Sequence, residues 1–226
     1  MPELTNGGYR RGPILTRRVM VRGALAAAAI SAVPVAALAA TLDPKLMKQA
    51  ELDYGPLPDE PYPIPAVEIA KLQPVYFRRV IDDPTGEPPG TVVVDTHDRI
   101  LLLTLQDKRA VRYAIGFGRA GFTWSGRGEI RFKKAWPTWT PPAEMIARQP
   151  ELEQYRAGMP PGLENPLGAR ALYIFHDEAD TLYRVHGNSD VASIGQAVSS
   201  GCVRLLQQDV IDLYARISVP APIIVR

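Results

Sequence analysis

Two side chains in this sequence have the types and spacing for nucleophilic chemistry. Cys202 is the only cysteine among 226 residues, and His186, one of three histidines, lies upstream of it in the run Tyr183-Arg-Val-His-Gly-Asn188. One thiol cannot pair within its own chain, so it is either inert and buried or kept for the reactivity of its sulfur. The thiolate is the reactive form, and a neighbouring imidazole can take the thiol proton. Ser200-Gly201-Cys202 sets the thiol on a glycine turn, where successive N–H groups can converge on a developing oxyanion. Gly187 lets the chain turn beside His186 and frees a carbonyl to hold the ring. Arg204, two residues past the thiol, could bind a substrate carboxylate. Against this stands the plain alternative that a lone cysteine is a small buried hydrophobe. Composition and spacing alone leave the two readings balanced. One Cys and three scattered His offer no zinc-ligand spacing. His97 falls in a turn and His176 at a strand end, both read as surface or structural histidines.

The elements that must position these groups are mostly strands. Thr91–Asp95, Ile100–Leu105 and Ala110–Phe117 are short β-branched or alternating runs between polar turns, the pattern of an antiparallel meander. Glu129–Ala135 is a further strand, and Arg170–Phe175 with Thr181–Val185 a hairpin that ends at His186. Gly116-x-Gly118-x-x-Gly121 matches a dinucleotide fingerprint superficially, but no βαβ unit surrounds it, so it reads as a glycine-rich turn. Trp136-Pro-Thr-Trp-Thr-Pro-Pro142 cannot be a central strand. Its tryptophans either line a groove or pack in the core. Ala143–Arg148 and Glu151–Arg156 are short helical candidates. Asp209–Ile217 is the clearest helix, with Val210, Leu213, Tyr214 and Ile217 on one face, and Ala221–Val225 is a closing strand. The expected architecture is one β-rich domain, a sandwich or barrel with a few short helices, over residues 91–226.

Before it, residues 41–90 are rich in proline and read as an extended tether or surface strap, with a short strand within Leu72–Ile81. Residues 1–40 read as an export signal. Five arginines form a basic start, a small-residue apolar run follows, and Ala37-Leu-Ala39 fits a cleavage site. Thr16-Arg-Arg-Val-Met-Val21 resembles a twin-arginine signal. Alanine and Pro34 make the run a weak membrane span, so no stable anchor is expected after cleavage. The leader carries five Arg and one Glu while the whole chain is +2, so the remainder is −2. No basic face is left for nucleic acid.

His186-Gly, Ile194-Gly195 and Ser199-Ser-Gly-Cys-Val-Arg204 together resemble the signature of the L,D-transpeptidase catalytic domain (YkuD-type). Asn165-Pro-Leu-Gly-Ala-Arg170 and the helix after the cysteine are similar to that family as well. The resemblance covers roughly Thr91–Arg226. It implies a β-rich fold and an envelope enzyme with Cys202 as nucleophile and His186 as base. Gly187 would orient the imidazole, Ser200 and Gly201 would line the oxyanion hole with Cys202, and Ser199 and Arg204 would contact substrate. Three positions depart from the commoner spelling: Ser200 where many relatives have His, Asn188 where many have Thr, and Ser218–Pro222 where a Gly-Thr turn is frequent.

The implied reaction is acyl transfer on peptidoglycan stem peptides. Cys202 would attack the carbonyl of the third residue and expel terminal D-alanine. The acyl group would then pass to an amine of another stem, a lysine of an envelope protein, or a free D-amino acid. Water as acceptor would make the protein a carboxypeptidase. No metal or organic cofactor is implied. Two other classes compete, a non-catalytic wall-binding domain of the same fold and a general cysteine hydrolase of L-peptides.

Overall fold

A computed structural model of the chain describes residues 43–118, 125–199 and 202–226. The leader and the Ser200-Gly201 turn lie outside the described residues. The expected meander is present as β2 (Val92–Asp95), β3 (Ile100–Thr104) and β4 (Arg109–Ala114), all antiparallel. β1 (Arg79–Asp82) adds to β4 at one edge. On the other side of β2 lies β11 (Ala221–Val225), parallel to β2 and antiparallel to β6 (Gly126–Ala135). The hairpin β7 (Arg170–His176) and β8 (Ala179–Asn188) follows β6, and β10 (Val203–Leu206) closes the order, parallel to β8. Among the described residues this makes one nine-stranded mixed sheet, β1-β4-β3-β2-β11-β6-β7-β8-β10. β5 (Phe117–Gly118) and β9 (Ala197–Ser199) form a separate parallel pair. The fold is therefore mainly β with a few short helices.

The helices are α1 (Pro44–Asp53), α2 (Ala143–Arg148) and α3 (Gln207–Arg216). α3 lays Val210 and Leu213 against the central sheet, where they bury with Leu172, Ile174, Val185, Val203 and Leu205. Burial of such side chains is the main favourable term holding helix to sheet. Lys133 fixes the end of α3, donating from Nζ to the Tyr214 and Ile217 carbonyls at 2.6 and 2.7 Å. Those carbonyls have no intrahelical partner at a helix C-terminus, where a cation is also favoured.

Several boundaries differ from the sequence reading, each for a local reason. Residues 43–82 are a packed strap rather than a purely extended one. Asp43 caps α1 by accepting from the Lys45 N–H at 2.9 Å, and Pro44 starts the helix without needing a donor. Within Leu72–Ile81 only the end is strand; Pro74–Tyr76 is a single 3₁₀ turn. Pro150–Tyr155 is likewise 3₁₀. Ile115 and Gly116 leave the sheet before Phe117, because Gly116 pairs with Arg204 instead. β8 runs on to Asn188, so His186 sits within a strand and not at its end.

The strap makes its own core. Ala50, Tyr54, Leu72 and Phe77 bury together with Ala114, Ile194 and Leu206 of the β-domain. Its polar side forms a second attachment. Tyr54 Oη donates to Asp209 Oδ2 at 3.3 Å, Arg78 bridges Asp53 and Asp209 at 3.0 and 3.4 Å, and Gln208 donates to the Gly55 and Pro65 carbonyls. Further along, Glu60 accepts from Trp136 Nε1 at 2.8 Å and from both terminal nitrogens of Arg170, while Tyr62 packs on the Trp136 ring. Trp136 thus packs against the strap and belongs to none of the buried core clusters.

Candidate active site

The site is built on the β8–β10 pair. Arg204 lies opposite His186 and Val203 opposite Val185. Because successive side chains of a strand point to opposite faces, Val185, Val203 and Leu205 enter the core. His186 and Arg204 then share the other face. Cys202 immediately precedes β10, at the height of Arg184, and the Arg184 backbone N–H donates to its sulfur. The register thereby puts His186 and Arg204 side by side on one face, with Cys202 two residues before Arg204. Ser199 ends β9.

The His186 ring is 5% exposed and its Nδ1 lies 2.9 Å from the Gly187 carbonyl. A carbonyl only accepts, so Nδ1 carries the proton and Nε2 is left as an acceptor. Burial pushes the imidazole down to about 4; the Gly187 bond opposes this, and the charges of Arg204 and Arg184 add to it. Burial also pushes the Cys202 thiol up, while the Arg184 N–H and the Arg184 and Arg204 charges pull it back. The resting pair is therefore a neutral thiol and a neutral imidazole, with cations placed to favour negative charge on the sulfur.

Gly187 has a different reason from the one expected. It is a strand residue opposite Leu205 and makes no turn. A Cβ there would overlap the Gln207 carboxamide. Gln207 Oε1 accepts from the Ala169 N–H at 2.9 Å, so the first residue of α3 is wedged between the loop before β7 and the strand carrying His186. Asn188 binds its own loop, donating to the Asp190 carbonyl and to Ser193 Oγ.

The segment between His186 and Cys202 is held from both sides. Gly195, at φ +75°, receives the Tyr76 ring of the strap where a side chain would stand. Its N–H donates to the Ile115 carbonyl at 3.0 Å, and its carbonyl accepts from Arg99 at 2.6 Å. Ile194 is buried in the strap cluster. Neither Tyr76 nor Gln207 carries a motif signal, because their roles arise from packing across long sequence distances.

The other histidines stay apart from this face: the His97 side chain is 96% exposed and contacts Asp98, and that of His176 is 55% exposed. Among the described residues, Asp95, His97 and Asp98 are the one group close enough to share a metal ion, and it lies in the exposed β2–β3 turn.

Residues 89–225 match the YkuD family, described as the L,D-transpeptidase catalytic domain. The Escherichia coli (strain K12) protein named "Probable L,D-transpeptidase YbiS" is 34% identical over 135 residues, 58% of this chain and 42% of that protein. The chain thus spans less than half the length of that curated relative. A crystal structure from Brucella melitensis, described as a probable carnitine operon oxidoreductase, is 37% identical, covering 67% of this chain and 94% of that one, with a TM-score of 0.48. An L,D-transpeptidase structure from Xylanimonas cellulosilytica is 15% identical, covering 64% and 63%, with a TM-score of 0.46. Neither score reaches 0.5, so nothing about function rests on these two likenesses.

The matched span, residues 89–225, defines a domain of the YkuD type. The chain belongs to the L,D-transpeptidase catalytic-domain family.

Proposed function

We propose that the chain is an exported cysteine acyltransferase acting on peptidoglycan stem peptides, with Cys202 as nucleophile and His186 as base. The observation that carries this reading is the His186 Nδ1–Gly187 bond, which leaves Nε2 as an acceptor beside Arg204, two residues from Cys202. Attack on the carbonyl of the third stem residue forms the S–C bond. The thiol proton passes through Nε2 to the departing D-alanine amine as its C–N bond breaks. An acceptor amine then reverses these roles: it attacks the thioester, gives up a proton through His186, and returns the sulfur as a thiol. His186 suits both duties, because an imidazolium held beside Arg204 and Arg184 is a strong acid toward the leaving amine.

The Ser200, Gly201 and Cys202 amides are proposed to bind the oxyanion, and Ser199 and Arg204 the substrate. Residues 1–40 are proposed as the export signal and residues 41–90 as the strap of the catalytic domain. The reaction then takes place in the cell envelope, where its substrate lies.

Intact-mass spectrometry after incubation with a stem tetrapeptide tests the reading. A thioester adduct and released D-alanine are expected from the wild type and from neither Cys202→Ala nor His186→Ala. A carbapenem should add to the wild type alone. D-alanine release by Cys202→Ala at the wild-type rate would overturn the proposal. Transfer to an added amine against transfer to water separates transpeptidase from carboxypeptidase activity.

A further inference from the structure

No sequence motif includes Arg184, yet the sheet places it beside Cys202. It is two residues before His186 on β8 and therefore on the same face. Its guanidinium is fixed on three sides. Both terminal nitrogens donate to the Asp180 carboxylate, at 2.7 and 2.8 Å, and one also donates to the Tyr183 carbonyl at 2.8 Å. The carbon at its centre lies 4.3 Å from the centroid of the Tyr173 ring. Tyr173 is itself stacked on Phe132 at 4.4 Å. The side chain is only 12% exposed, which limits screening of its charge by solvent.

We propose that Arg184 is a positioning residue of this site, its backbone N–H orienting the Cys202 sulfur and its clamped guanidinium fixing a cation beside it. The clamp matters because a free arginine would turn its charge toward water. Asp180 and Tyr173 oppose that, and the backbone N–H contributes a donor that no side-chain substitution removes. The charged groups that act on the sulfur and the imidazole are Arg184 and Arg204; Asp180 pairs with the first, and Asp190 acts on the second. Both cations favour the thiolate and disfavour the imidazolium, so they push the proton onward from sulfur to the leaving amine. Arg184 thus acts through Cys202 and does not itself touch the reacting carbonyl.

The inference rests on Cys202 being the nucleophile, but its test reads thiol reactivity and needs no stem peptide. Alkylation of the single cysteine by iodoacetamide is followed by intact mass from pH 5 to 10, with melting temperature as the check on folding. Arg184→Gln is expected to slow alkylation at pH 7 about tenfold, as a shift of about one pH unit in the thiol midpoint requires. Arg184→Lys, which keeps a cation, should recover most of that loss. A folded Arg184→Gln protein alkylated at the wild-type rate, or an Arg184→Lys protein as slow as Arg184→Gln, overturns the proposal. Should Arg184→Gln not fold, Tyr173→Leu decides: it frees one side of the guanidinium and leaves both charges in place, so alkylation at pH 7 should slow, and unchanged or faster alkylation overturns the proposal. If alkylation depends on Arg184 while Cys202→Ala still releases D-alanine, the proposed function fails and this inference stands.

Discussion

The Gln207 carboxamide lies against the Cα of Gly187 with no room for a Cβ between them. Gln207 begins α3 directly after β10, and Gly187 offers the carbonyl that holds His186. One contact therefore couples the helix that closes the core to the orientation of the His186 ring.

Gly187→Ala should destabilise the protein by about 1–3 kcal/mol, the usual range for forcing a methyl into packed space. It should also lower D-alanine release, because the displaced carbonyl no longer aligns the ring. Denaturant unfolding in the wild-type and Gln207→Ala backgrounds checks the cause. The cost should shrink when Gln207 is cut back, and purely additive losses would show that the contact is not responsible.

Phe77 is 1% exposed and packs with Tyr54, Ile194 and Leu206. Phe77→Ala should cost about 3–5 kcal/mol, as for other buried aromatics cut to alanine. Ile194 and Leu206 flank Cys202 along the chain, so the cavity should impair turnover as well as stability. Melting curves and D-alanine release on the same sample check both, and full activity at low temperature would separate strap from site.

Arg78 is the cation shared by Asp53, Asp209 and Asp212, and Asp209 is 1% exposed. Arg78→Ala leaves Asp209 in the interior with only the Tyr54 hydroxyl and should cost about 3 kcal/mol or more. The same substitution in an Asp209→Asn background should cost clearly less. Equal costs in urea titrations of the two pairs would contradict the charge argument.

The pH dependence has two opposed parts. Burial raises the Asp209 carboxyl to about 7, so the native state binds its proton more tightly than the unfolded chain does. Its contribution to stability is present below about pH 4 and is lost as pH rises toward 7. Burial lowers His186 to about 4, so the unfolded chain binds that proton more tightly. Its contribution is present above about pH 6.5 and is lost as pH falls toward 4. Asp209→Asn should therefore make stability rise more steeply with pH between 4 and 7 than in the wild type. On the activity side, the acid limb of kcat/KM should lie below about pH 5, because an unshifted imidazole would already be protonated near 6.5. A limb at pH 6.5 would mean that His186 is not the base or is not buried during turnover.

The sequence by itself determined the family and most of the strands, and it singled out the two residues proposed to carry the chemistry. Cys202 and His186 could be singled out because cysteine is unique in the chain, and because His-Gly and Ser-x-Gly-Cys-x-Arg are local spellings. β2, β3, β7, β11 and α3 were legible because their apolar periodicity is also local. α1 had a readable start in Asp43-Pro44, but proline density along the strap masked it. Tertiary structure alone decided that β10 runs parallel to β8 and so puts Arg204 beside His186. It also showed that Gly187 serves close packing by Gln207 instead of a turn, that Tyr76 and Phe77 brace the segment before the thiol, and that Arg184 stands against the sulfur. Each of these depends on which strands pair and in what register. That choice is settled by burying one face of the whole sheet at once, and no short stretch of sequence contains it.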